Sequence, residues 1–135
     1  MNREILFRAK HIHAMDSNEH LDRTWVHGYL SDENYIYDKS LEGEFLIDED
    51  TICQYTGLIN ELGEEFWEND IVQYGYYYGV IKYEEDAFII KWNTKGSEFL
   101  RYDLAYWVYL RKARVVGNIF DNPELLEEED VHGTD

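Results

Sequence analysis

Cysteine is almost missing from this chain. Cys53 is the only one in 135 residues, so no internal disulfide can form and no cysteine-based zinc site exists. It lies between Ile52 and Gln54 in a predicted strand, and there a buried, inert thiol is expected. Proline is represented by Pro123 alone, and with 9 glycines this argues against a linker-rich or low-complexity chain. No run of about 18 apolar residues occurs, so no membrane-spanning helix is expected. The opening Met1 to Arg8 has no apolar h-region, so no signal peptide is expected and the cytosol is the expected compartment. Cations are scarce too: 12 Lys and Arg stand against 29 Asp and Glu, a net charge of −17. That balance opposes direct binding to nucleic acid, whose phosphates need cations, and repels an anionic membrane. It favours solubility, a basic protein partner, or a surface that imitates a polyanion.

Sequence signatures of catalysis are also lacking. There is no Gly-rich phosphate loop, no serine nucleophile elbow and no zinc-protease helix motif. Paired acids occur throughout and so carry no information. No cofactor is expected.

What the chain does have is aromatic bulk, 16% of residues with 12 Tyr and 4 Trp, in short apolar runs separated by turn residues. The length fits one domain with a real core. The organising stretch is Gln54 to Val72. It reads as two strands joined by the polar turn Asn60-Glu61-Leu62-Gly63, then a sharp bend at Glu68-Asn69-Asp70 into a third strand. Thr56-Gly57 is expected to break the first run. Asp70 is expected to bond the backbone of its turn rather than to act as a catalytic acid, since a lone acid has no partner geometry.

Earlier in the chain, Arg3 to Ala9 reads as a first strand with Ile5 and Phe7 on one face. Lys10 to Arg23 is polar, with a turn at Asp16-Ser17-Asn18. Trp25 to Leu30 is a second strand with Trp25, His27 and Tyr29 on one face and Val26 and Leu30 on the other. A turn at Ser31 to Asn34, a short strand Tyr35-Ile36-Tyr37, and another at Phe45-Leu46-Ile47 follow, ending in Asp48-Glu49-Asp50. Later, Val80 to Tyr83 and Ala87 to Trp92 form the clearest hairpin, turned by Glu84-Glu85-Asp86. Asn93 to Gly96 is a turn. Ser97 to Leu110 is ambiguous: Phe99, Leu100, Leu104 and Trp107 have near-helical spacing, whereas Tyr106, Val108 and Leu110 alternate as in a strand. Arg114 to Phe120 is a late strand. A helical turn then begins with Asn122 as N-cap, Pro123 at the first position and Glu124 complementing the N-terminus. The acidic tail, 127–135, is expected to be disordered. The fold class is mainly β, a small barrel or roll.

Three constellations stand out. His11-x-His13 with Asp16, Glu19 and His20 could supply metal ligands, but the spacing fits no metal motif and a solvated loop is expected. Arg111-Lys112-x-Arg114 is the one basic cluster; it could meet a phosphate but is expected to balance nearby acids. Tyr74, Tyr76, Tyr77 and Tyr78, bounded by Gly75 and Gly79, form the candidate interaction patch, because consecutive aromatics cannot all point inward from a strand. In the alternative arrangement, alternate rings pack on the core and the others cover an edge.

Several blocks taken together resemble the YopX-like family of bacterial phages and prophages. They are Glu4-Ile5-Leu6-Phe7-Arg8-Ala9, Trp25-Val26-His27-Gly28-Tyr29-Leu30, Gln54-Tyr55-Thr56-Gly57-Leu58, Phe66-Trp67-Glu68-Asn69-Asp70-Ile71-Val72, Gly79-Val80-Ile81, and Val116 through Leu126. Asn69 stands where the family often has Gly, a mild change because Asn tolerates the left-handed region. Cys53 replaces a small residue, and a proline expected upstream is missing. The resemblance implies an SH3-like barrel in the second half, after an N-terminal β meander, and a phage or prophage origin. It implies no established enzymatic activity, so it carries over no functional residues. The expected organisation is one domain over 1–126, with its barrel core from about residue 52. The expected function is a non-enzymatic protein-interaction module with a host or phage protein partner, or self-associated as a homo-oligomer. The alternatives are an acidic nucleic-acid mimic that blocks a host DNA-binding protein, and an unrecognised enzyme.

Overall fold

The computed structural model describes residues 5–12, 23–110 and 112–127. Strands take up about half of these, in two antiparallel sheets, with one α-helix. The chain divides into two compact units, Met1–Tyr55 and Thr56–Asp135.

In the first unit, β1 (Phe7–Lys10) lies between β2 (Trp25–Asp32) and the start of β5 (Cys53–Ile59), and β3 (Tyr35–Asp38) and β4 (Gly43–Leu46) continue the sheet beyond β2. The register sets Ala9 beside Val26 and Ile36 beside Phe45. These four, with Ile47, make a buried core against which Phe7 and Ile52 pack. Two-residue alternation therefore places Val26 inside and Tyr29, Tyr35 and Tyr37 outside. The first strand starts later than its apolar pattern implies. Ile5 precedes the paired segment and is exposed, while Arg8 is buried with its guanidinium 4.6 Å from the Trp25 ring centroid. The second strand runs on to Asp32 through a bulge after Leu30, which shortens the following turn to Glu33-Asn34.

Two residues fix this unit locally. Gly28 lies so close to β3 that a Cβ there would sit 1.9 Å from the Tyr37 carbonyl oxygen. The buried Asp38 carboxylate accepts from the His27 N–H (2.8 Å), the Ser40 N–H (2.9 Å) and the Ser40 hydroxyl (2.6 Å). Burial pushes this carboxyl up, but those donors and the Leu41 N–H outweigh it and hold it below its ordinary value. Asp48 caps a 3-10 turn at Glu49–Thr51 through the Asp50 N–H, and Cys53 is a buried free thiol.

In the second unit, β7 (Asp70–Tyr74), β8 (Tyr77–Glu84) and β9 (Ala87–Trp92) form a meander, and β10 (Arg114–Asn118) returns beside β7. The remainder of β5 and β6 (Glu65–Trp67) precede the meander. Thr56-Gly57 does not break β5. The buried Thr56 hydroxyl donates to the Phe66 carbonyl (2.6 Å) and accepts from the Leu58 N–H, so the polar residue is satisfied within the strand. The bend into β7 has Asn69 at φ 72, in the left-handed region. The β8–β9 turn places both Glu85 (φ 51) and Asp86 (φ 66) there, as a type I′ hairpin requires.

The ambiguous segment is a 3-10 turn at Ser97–Phe99 followed by α1 (Leu104–Leu110). Leu104, Trp107 and Val108 are spaced i, i+3, i+4 and enter the core with Phe66, Val72, Ile81, Ile90 and Ala113. At the chain's end Pro123–Leu126 is a 3-10 turn with Asn122 at its cap position. The Asn122 side chain does not cap it; Oδ1 accepts the Asn118 N–H instead (3.2 Å). Among the described residues no helix is long and apolar enough to cross a membrane.

Two stability changes follow. Gly28→Ala forces β2 and β3 apart and lowers unfolding free energy by more than about 3 kcal/mol, or prevents folding, in a urea titration. Asp38→Asn costs about 1–3 kcal/mol at pH 7 by leaving a donor poorly matched. Because the folded carboxyl titrates below its unfolded value near pH 4, its contribution is complete above that pH and disappears as pH falls through the folded value. The wild-type and Asp38→Asn stabilities should therefore converge in acid, as read by thermal melts from pH 7 downward.

Candidate functional site

The Tyr74–Tyr78 run is the β7–β8 hairpin. Its two-residue turn is Gly75-Tyr76, with Gly75 at φ 60, a left-handed value that suits glycine at the first turn position. The four rings do not form one patch. Tyr74 is half-buried, its ring 4.8 Å from Trp107 and stacked with Tyr77 at 6.4 Å. The Tyr78 hydroxyl lies 3.1 Å from Gln73 Nε2, and its N–H is held by the Thr94 hydroxyl at 2.7 Å. Tyr76 alone is presented to solvent, 90% exposed at the hairpin tip. Three rings thus belong to the hairpin's own packing and one remains available for contact.

Other presented rings escaped the reading of the sequence. Phe99 is 95% exposed and Tyr109 82%, and Tyr102 between them is exposed as well. Phe99 and Tyr102 precede α1 and Tyr109 lies on it, where its exposure follows from the helix's orientation. Once Leu104, Trp107 and Val108 face the core, Tyr109 falls on the opposite side. The signal was present in the near-helical spacing, but a competing alternation obscured it.

Asp70 does the job expected of it: the buried carboxylate accepts the Trp67 N–H at 2.9 Å across the tight turn. His11 is buried. Its Nδ1 meets the Leu46 carbonyl at 2.7 Å, which makes Nδ1 the protonated nitrogen, and Phe45 packs edge-on against the ring. His13, Asp16, Glu19 and His20 lie outside the described residues, as does Arg111. Among the described residues no three His, Cys, Asp or Glu side chains gather as a metal site would need. Arg114 pairs with Glu64 at 3.1 Å, so this member of the basic cluster does balance an acid. A shallow open depression lined by Trp92 to Glu98 has Lys95 and Glu98 as its charged groups.

The hairpin can be tested directly. Tyr74→Ala should cost about 2–4 kcal/mol in a denaturant titration by emptying the space against Trp107. Tyr76→Ala should change stability by less than about 0.5 kcal/mol.

A comparison with curated proteins finds no match. The family model for YopX protein matches residues 6–127, which spans both units. The chain therefore belongs to the YopX family.

Proposed function

We propose that this YopX family member is a non-enzymatic interaction module of phage or prophage origin, acting in the bacterial cytoplasm through contacts with protein. The observation that carries this reading is the set of presented rings on the second unit, Phe99, Tyr76 and Tyr109. Large aromatic surfaces left in water are unfavourable to a monomer, yet they supply much of the energy at protein interfaces at small entropic cost. The rings stand on a chain of net charge −17, and a cationic partner would be drawn to it electrostatically. The second sheet supports an SH3-like roll as the scaffold: β7, β8 and β9 form a meander, short helical segments follow, and β10 returns beside β7.

The test is affinity capture from bacterial lysate at low and high salt, with the wild-type chain and a Tyr76→Ala/Phe99→Ala variant. The reading expects a defined protein partner, captured less at high salt and lost from the variant. Capture of nothing by a chain that also fails to self-associate, or capture indifferent to both rings, overturns it. A captured DNA-binding protein released by salt but indifferent to both rings would favour the nucleic-acid mimic instead.

A further inference from the structure

The second unit is not uniformly acidic. Residues 95–114 contain five Lys and Arg (95, 101, 111, 112 and 114) against two acids, Glu98 and Asp103, a local charge of +3. The remainder of the chain then carries 7 basic and 27 acidic residues, or −20. Within this cationic segment lie the exposed rings Phe99, Tyr102 and Tyr109, with Lys95 and Lys112 exposed as well. Arg101 is already engaged: its guanidinium is 4.2 Å from the Tyr106 ring centroid and it pairs with Asp103.

A surface of the opposite kind lies in the same unit. The segment 59–68, from the end of β5 through β6, has four acids (Glu61, Glu64, Glu65 and Glu68) and no cation. It also presents Leu62, 73% exposed, and Ile59. Each surface has what the other lacks, cations and rings on one side, carboxylates and aliphatic side chains on the other. The two also adjoin. Glu64 accepts from the Arg114 guanidinium at 3.1 Å and from the Val115 N–H at 3.0 Å, which fixes the acidic turn beside the end of the cationic segment.

We propose that this face is a self-association surface, with a second copy of the chain as its occupant. The proposal rests on the interaction-module reading and names the partner. Two adjoining patches of opposite character are self-complementary under a two-fold axis. The aromatic, cationic segment of one copy meets the acidic turn of the other, and the reverse contact forms at the same time. A segment with a net +3 in its sequence, on a chain otherwise at −20, has in a second copy a charge complement always present at its own concentration. The contact also removes Phe99, Tyr109 and Leu62 from water together.

Sedimentation equilibrium of the full chain over a wide concentration range tests this. Wild type should dimerise reversibly, and more weakly at high salt. Lys95→Glu/Lys112→Glu, and separately Glu61→Lys/Leu62→Lys, should each weaken association by at least about tenfold. Phe99→Ala/Tyr109→Ala, two exposed positions, should weaken it without altering the melting temperature of the dilute, monomeric chain. Combining Lys95→Glu/Lys112→Glu with Glu61→Lys in one chain should restore part of it. A wild-type chain that stays monomeric at low salt and high concentration overturns the proposal, as does a dimer unaffected by these changes. Capture of a host protein by a strictly monomeric chain would overturn self-association while leaving the interaction-module reading in place.

Discussion

The second unit depends on how Trp107 is seated. Its ring meets Tyr74 at 4.8 Å, Tyr106 at 5.2 Å and Trp92 at 5.3 Å, and its indole N–H donates to the Arg101 carbonyl at 2.8 Å. One side chain therefore joins the helix to the ends of β7 and β9 and to the segment leading into the helix. A large buried ring with its one polar atom satisfied gains burial without leaving an orphaned donor. Trp92 donates to the same Arg101 carbonyl, so that backbone position is held from two sides. With Trp107 inside, the rotation of α1 is decided, and so is the set of rings that must remain outside.

The first unit solves a different problem, the close pairing of short strands. Its core residues are few and of moderate size, and the strands approach one another at Gly28 more closely than any side chain would permit. Polar groups near that approach are collected by Asp38, which ties the β2 backbone to the turn after β3. Asp70 acts alike in the second unit, gathering the Trp67 N–H across a turn of reversed backbone sign. In both places a short carboxylate replaces a hydrogen bond that the ladder cannot provide.

Much of this was legible in the residues because strands and turns are local. The alternation of Trp25 to Leu30 placed its faces, Tyr35 to Tyr37 read as a short strand, and Asn69-Asp70 marked the bend into β7 with the correct role for the acid. The hairpin at Glu84-Glu85-Asp86 needed no long-range information. What could not be read depended on contacts distant in sequence. Thr56 continues its strand only because the Phe66 carbonyl lies ten residues away to accept its hydroxyl proton. Ile5 lies outside the sheet because pairing with β2 and β5 starts at Phe7. Asn122 turns back to Asn118 rather than forward into its own helical turn. The Tyr74–Tyr78 run stood out in the residues, but its four rings do not act as one surface. How its rings divide between packing and solvent was settled by Trp107, thirty-three residues from Tyr74.

The lone cysteine has one more consequence. Cys53 has no accessible surface and its sulfur donates to the Thr51 carbonyl, so a thiol reagent in solution cannot reach it while β5 stays paired with β1. Only an opening of that strand exposes the sulfur, and no second thiol elsewhere can compete for the label. The chain therefore carries an intrinsic chemical clock. The rate at which it is alkylated measures how often the first unit opens, without any introduced probe.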